Sequence, residues 1–150
     1  MQEQKISLPL DDRDFNKSVA KDRMFLGMFA EHLTAADCYR RGYRVSRPGD
    51  GSSVYDLIVD RHGLLTRLQV KTLSSKGQVA VGYLRYSEDL YDGKGSRQYV
   101  EPKYKSGDFD FLCFVDRDSW RVYYIPFEDI DWSKTSMSLS DEQRERYVRF

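Results

Sequence analysis

The sequence is poor in cysteine, in net charge and in long apolar runs, and each shortage closes off a class of protein. Its two cysteines, Cys38 and Cys113, each sit among apolar neighbours. That fits reduced core residues rather than a disulfide framework or a cysteine-ligated metal site. Lys and Arg total 24, and Asp and Glu also total 24. The zero balance excludes nucleic-acid binding through bulk charge and leaves only local clusters to do it. No stretch approaches the length of a membrane span, and the start Met-Gln-Glu-Gln-Lys is not a signal peptide. Internal repeats, low-complexity tracts and linkers are also missing. These absences imply a soluble, cytoplasmic protein. At 150 residues and 40% hydrophobic content, one domain with a real core is expected: an arm over 1–15, a core over about 16–130, and a tail over 131–150.

What is present centres on Val54 to Lys71. Two runs rich in Val, Ile and Leu flank His62-Gly63, the mark of a hairpin. In the second run Leu68 and Val70 fall on one face and Arg67, Gln69 and Lys71 on the other, because side chains alternate along a strand. If His62 and Gly63 form a two-residue turn, Arg61 faces Leu64, and counting outward sets Asp56 opposite Gln69. Opposed residues share a face with Cβ atoms about 4.5 to 5.5 Å apart, and Lys71 follows on that face. A three-residue loop would slide the register by one and leave Gln69 diagonal to Asp56. An acid, an amide oxygen and an ammonium converging at the open end of a hairpin are the material of a divalent-metal and phosphate site. The plain alternative is a solvated sheet face that carries the same residues.

Before the hairpin, Phe25, Met28, Phe29, Leu33, Ala36 and Tyr39 recur at spacings of three and four. This predicts a helix from about Asn16 with these residues as its packed stripe. Arg40 and Arg41 suit its negative end and Gly42 is a natural C′ residue, so the helix should close near Arg41. Glu31 lies at the edge of the stripe, either as a surface acid or as a carboxylate aimed at Asp56. His32 lacks a second metal-type residue at helical spacing and is expected to be a satisfied, partly buried histidine. Tyr43-Arg-Val45 predicts a short strand. The Arg47-Pro-Gly-Asp-Gly-Ser-Ser53 loop has no Lys at the spacing a Walker loop needs, so it is a connector, at most one that meets a DNA backbone.

From Arg61 to Ser87 there are five Lys or Arg residues and no acid, the clearest electrostatic feature in a neutral chain. Gln78 to Arg85 alternates as one strand. Tyr91 to Tyr99 resembles a groove-reading hairpin tip, where Arg and Gln would read base edges and Lys would hold phosphates. With Lys103 and Lys105 this forms a basic extension; the alternative for any one residue is a solvated loop. The candidate DNA contacts are Arg61, Lys76, Arg85, Lys94, Arg97, Lys103 and Lys105. Asp110–Val115 and Trp120–Ile125 predict two further strands around an Asp116-Arg-Asp-Ser turn. Their dense aromatics indicate a filled core, and the surplus tyrosines an oligomer interface. Ser140 with the acids after it predicts a short terminal helix with a solvated charged face.

The order of a helix bearing Glu31, then Asp56 at the end of a strand, then Gln69-Val70-Lys71 in the next resembles the PD-(D/E)XK nuclease superfamily in its Gln-x-Lys variant. Within that superfamily, Arg40-Arg-Gly-Tyr43, Tyr55-Asp-Leu-Ile58 and Leu68-Gln-Val-Lys71 are similar as a set to the restriction-enzyme-like group I intron homing endonucleases. A later stretch, Lys103-Tyr104 through Asp108-Phe-Asp-Phe111 to Tyr123-Tyr-Ile-Pro126, extends the likeness over roughly residues 20 to 130. Tyr55 stands where Pro is expected, and Gln69 replaces the second acid, which removes a negative charge from the presumed metal site.

The resemblance implies an α/β fold with a restriction-endonuclease-like central mixed sheet flanked by helices, plus the basic extension. It implies Mg²⁺ held by Asp56, the Gln69 side-chain oxygen and Glu31. Lys71 would orient or deprotonate the attacking water, or balance charge on the phosphate, completing a catalytic set of Glu31, Asp56, Gln69 and Lys71. Double-stranded DNA would be cut on both strands by a homodimer, or by a homotetramer built as a dimer of dimers, in intron homing. A Holliday-junction-type resolvase would share the centre, and a non-catalytic nucleic-acid-binding module would share only the extension.

Overall fold

The computed structural model describes residues 23–74, 76–87 and 97–150, without the side chains of Tyr86, Ser87 and Arg97. The expected arm, the expected helix start near Asn16 and Lys94 lie outside these residues. Helix α1 spans Arg23–Arg40 and ends as its sequence predicts. Gly42, at φ 83°, lets the Tyr43 N–H reach the Cys38 carbonyl at 3.1 Å and the Gly42 N–H reach the Tyr39 carbonyl at 2.9 Å. That pair of bonds is the Schellman motif.

The face α1 buries differs from the expected stripe. Leu26, Ala30, Thr34, Ala35 and Cys38 are buried, while Phe25, Met28 and Tyr39 are 55%, 52% and 59% exposed. The small residues on the buried line let the helix lie close to the sheet, and side-chain size misdirected the reading of the period. His32 is exposed, with its Nδ1 2.8 Å from the Met28 carbonyl.

Five strands form the central sheet in the order β1-β2-β3-β7-β8. They are β1 (Arg44–Ser46), β2 (Leu57–Arg61), β3 (Leu64–Thr72), β7 (Phe111–Val115) and β8 (Val122–Pro126). The β3–β7 pair is parallel and the others antiparallel, so the sheet is mixed, as expected. The β2–β3 turn has two residues, His62 at φ 56° and Gly63 at φ 98°, both left-handed as a type I′ turn requires. Arg61 faces Leu64 and Leu57 faces Leu68, the register read from the sequence. Burying Leu57 and Leu68, both 0% exposed, contributes about 1.5–3 kcal/mol each. That outweighs the about 1–2 kcal/mol of holding His62 left-handed.

Each face of the sheet has its own core. Leu57, Val59, Leu68, Val70, Cys113, Val115, Val122 and Tyr124 pack under α1. Leu112, Phe114, Tyr123 and Ile125 face the other way, against Val79, Val81, Phe109, Ile130, Leu139 and Tyr147. Both cysteines are buried and free.

The expected single strand over Gln78–Arg85 is two: β4 (Gln78–Ala80), paired with β9 (Ser136–Ser138), and β5 (Gly82–Ser87), paired with β6 (Arg97–Pro102). The break falls where the Val81 and Gly82 N–H groups both turn to the Thr135 carbonyl, at 2.9 and 3.1 Å. Alternation alone cannot show such a switch of partner. Helix α2 (Asp141–Tyr147) begins with a capping box between Ser140 and Gln143. The tail is more than a solvated face: Tyr147 is buried, Arg144 reaches Asp116 at 2.8 Å, and Phe150 stacks on Tyr124 with ring centroids 4.1 Å apart. No helix among the described residues is long and apolar enough to cross a membrane.

Candidate active site

Strand β2 parts from β3 at Leu57, which frees the Val70 N–H from the β2–β3 ladder. Asp56 fills the gap. Its own N–H donates to the Leu68 carbonyl at 2.8 Å, and its Oδ2 accepts from the Val70 N–H at 2.7 Å and from Gln69 Nε2 at 2.8 Å. The predicted pairing of Asp56 with Gln69 is therefore present, with the amide nitrogen toward the carboxylate rather than the expected oxygen. Gln69 is only 7% exposed, so its partner at Asp56 is obligatory.

Burial raises the Asp56 pKa. The Val70 N–H opposes that rise, Glu31 adds to it, and Lys71 and Arg47 counter it. Of the four candidate catalytic residues, Gln69 touches Asp56 directly, while Glu31 and Lys71, like Arg47, act on it through their charge alone. Arg47, read from the sequence as part of a connector, donates through Nη1 to Glu31 Oε2 at 2.7 Å. Nothing in its spacing marks it; only the path of the β1–β2 loop brings it here.

The donor set suits a hard divalent cation. Asp56 and Glu31 are carboxylates whose repulsion a cation would relieve, and half a turn of the Gln69 amide exchanges its nitrogen for an oxygen beside Asp56. Among the described residues no three His, Cys, Asp or Glu side chains gather as a ligand set. A cation at this place would therefore need the Gln69 oxygen.

The basic residues divide by what they meet. Arg67 is bound to Asp110 and Arg85 to Glu101, so acids from β6 and the start of β7 offset the acid-free run. Arg61 lies at the turn end of β2, away from Asp56, with its guanidinium 4.2 Å from the centroid of Phe150. Lys76 and Lys105 are exposed. Lys71 Nζ stands 5.8 Å from the Tyr104 ring centroid and Lys103 Nζ 5.0 Å from that of Tyr83. Burial lowers the Lys103 pKa, and the nearby charge of Lys71 lowers it further. The sequence grouped Lys103 with the outlying DNA contacts; the fold links it to Lys71 through the next residue, Tyr104, whose ring lies against the Lys71 ammonium.

A family model described as PD-(D/E)XK endonuclease matches residues 24–149. Among solved structures, a bacterial homing endonuclease, I-Ssp6803I, is 22% identical, with a TM-score of 0.58 over 77% of this chain and 76% of that one. No protein of curated function matches the sequence significantly.

Proposed function

The chain belongs to the PD-(D/E)XK endonuclease family, and on that footing we propose that it is a Mg²⁺-dependent, site-specific endonuclease that makes double-strand breaks in DNA. The observation that carries this reading is the Asp56–Gln69 hydrogen bond at the open end of the β2–β3 hairpin, with Lys71 two residues beyond Gln69 on the same strand. The likeness to a bacterial homing endonuclease supports intron homing as its setting, in the cytoplasm. Asp56, the Gln69 oxygen and Glu31 would hold Mg²⁺, which when bound supplies a Lewis acid and lowers the pKa of water.

The chain's own side chains then have defined tasks. Asp56 is anchored by the Val70 N–H, so its carboxylate is held in place before substrate arrives. Arg47 holds Glu31 at the rim. Lys71 orients the attacking water or offsets charge growing on the phosphate as the water oxygen bonds to phosphorus and the bond to the leaving sugar oxygen breaks. Lys76, Lys94, Arg97, Lys103 and Lys105 contact the DNA, and Arg85 joins them if Glu101 releases it. Arg61, whose guanidinium lies over the Phe150 ring, is a further candidate contact at the turn end of β2.

One chain offers one centre and a duplex has two strands. The working form is therefore a homodimer, or a homotetramer as a dimer of dimers. Asp56→Asn and Lys71→Ala are expected to abolish cleavage and spare DNA binding; undiminished cutting by either variant contradicts the assignment. A sedimenting monomer that still makes double-strand breaks contradicts the assembly.

A further inference from the structure

Lys71 and Lys103 are two half-buried lysines linked through Tyr104, which follows Lys103 in the chain and sets its ring centroid 5.8 Å from Lys71 Nζ, and neither forms an ion pair among the described residues. Elsewhere on this flank the cations meet acids, Arg67 at Asp110 and Arg85 at Glu101. Like charges brought together and partly desolvated oppose folding unless something offsets them. Aromatic faces do so in part, Tyr104 for Lys71 and Tyr83 for Lys103. An anion bridging the two would do so fully.

The surroundings hold Lys103 in place. Its N–H bonds the Val81 carbonyl at 3.0 Å, and Val81 and Gly82 are tied through their own N–H groups to Thr135. At Gly82 the backbone is so closely packed that an added Cβ would lie 2.7 Å from the Lys134 carbonyl oxygen and 2.8 Å from Val100 Cγ1. Tyr104 is braced edge-on by Phe109 at 5.0 Å. Lys103 is thus fixed at the root of the β5–β6 ribbon, where the ribbon leaves the body. Lys71 shares its face of β3 with Gln69, so it adjoins the proposed cleavage centre, and Tyr104 ties the Lys103 backbone to it.

We propose that Lys103 is a second phosphate ligand of the active site, which together with Lys71 grips the non-bridging oxygens of the phosphodiester being cut. The inference rests on the endonuclease reading. Lys103 forms and breaks no covalent bond; it donates hydrogen bonds to oxygens on which charge grows as the water adds and the sugar oxygen leaves. A lysine that merely tracks the DNA backbone would strengthen binding and leave the chemical step alone.

The test takes as substrate the duplex that the native protein cuts from a randomised library in Mg²⁺, and measures single-turnover cleavage at saturating protein beside binding in EDTA. Lys103→Met is expected to slow cleavage of bound DNA about 100-fold, while affinity falls by under about tenfold. Lys103→Arg, which keeps the charge and donors, is expected to recover at least about a tenth of the native rate. Lys103→Met cutting bound DNA at the native rate, with binding alone weakened, overturns the proposal. Equal loss in both variants with lowered melting temperatures also overturns it, since the role is then structural. If the native protein cuts no member of the library, the endonuclease reading fails first, on an experiment that does not involve Lys103.

Discussion

Replacing Asp56 with Asn or with Ala separates the two demands on this carboxylate. Asp56 Oδ2 is the acceptor for the Gln69 amide and the Val70 N–H, at 2.8 and 2.7 Å. Ala leaves both donors, one on a side chain 7% exposed, without a partner. At about 1–3 kcal/mol for each unsatisfied buried group, the Ala variant should lose about 2–6 kcal/mol. Asn keeps an oxygen acceptor and removes a charge that burial and Glu31 penalise. Because the folded Asp56 pKa is raised, native Asp favours folding most when protonated. Its contribution is fully present below the unfolded value of 3.8 and is lost as pH rises through the folded value. In EDTA at pH 7 the Asn variant should therefore be at least as stable as the native protein, and that advantage should shrink as the pH falls toward the unfolded value. Urea denaturation at pH 7 and in mild acid measures both. An Asn variant clearly less stable than native at pH 7, or an Ala variant as stable as Asn, would refute the electrostatic and hydrogen-bond account of Asp56.

Three further predictions follow from neighbouring parts of the fold. Gln69→Glu places a carboxylate where the amide lies 2.8 Å from Asp56; its melting temperature in EDTA should fall, and Mg²⁺ should raise it more than it raises the native value. Gly82→Ala must push against two carbonyl oxygens and Val100, so it should lower the melting temperature and slow cleavage by displacing the ribbon root. Tyr124→Phe removes the hydroxyl that donates to Asp37 at 2.6 Å and should cost about 1.5–3 kcal/mol at neutral pH. Burial raises the Asp37 pKa, but bonds from Tyr124, Arg40 and Arg41 outweigh it and hold the pKa low. That stability is present above the unfolded value and lost as pH falls through the folded one, so urea titrations of native and Phe variants should converge in acid.

The hairpin and its register were legible because a two-residue turn and strict alternation leave little freedom, and Asp56, Gln69 and Lys71 were legible with them. The helix end at Gly42 and the cap at Ser140 were legible because their chemistry is local. The buried face of α1 was not, because closeness to the sheet selects Ala30, Thr34 and Cys38 over the larger Phe25 and Met28. Long-range partners stayed hidden for the same reason. Spacing does not tell that Arg67 finds Asp110, that Arg47 finds Glu31, or that Lys71 finds the Tyr104 ring.

Digestion of a randomised duplex library with the native protein, in Mg²⁺ and then in EDTA, tests the central claim most directly. Cleavage of both strands at a recoverable sequence in Mg²⁺, stopped by EDTA and missing in Asp56→Asn, is the predicted result. Cleavage that persists in EDTA, or in Asp56→Asn, contradicts it.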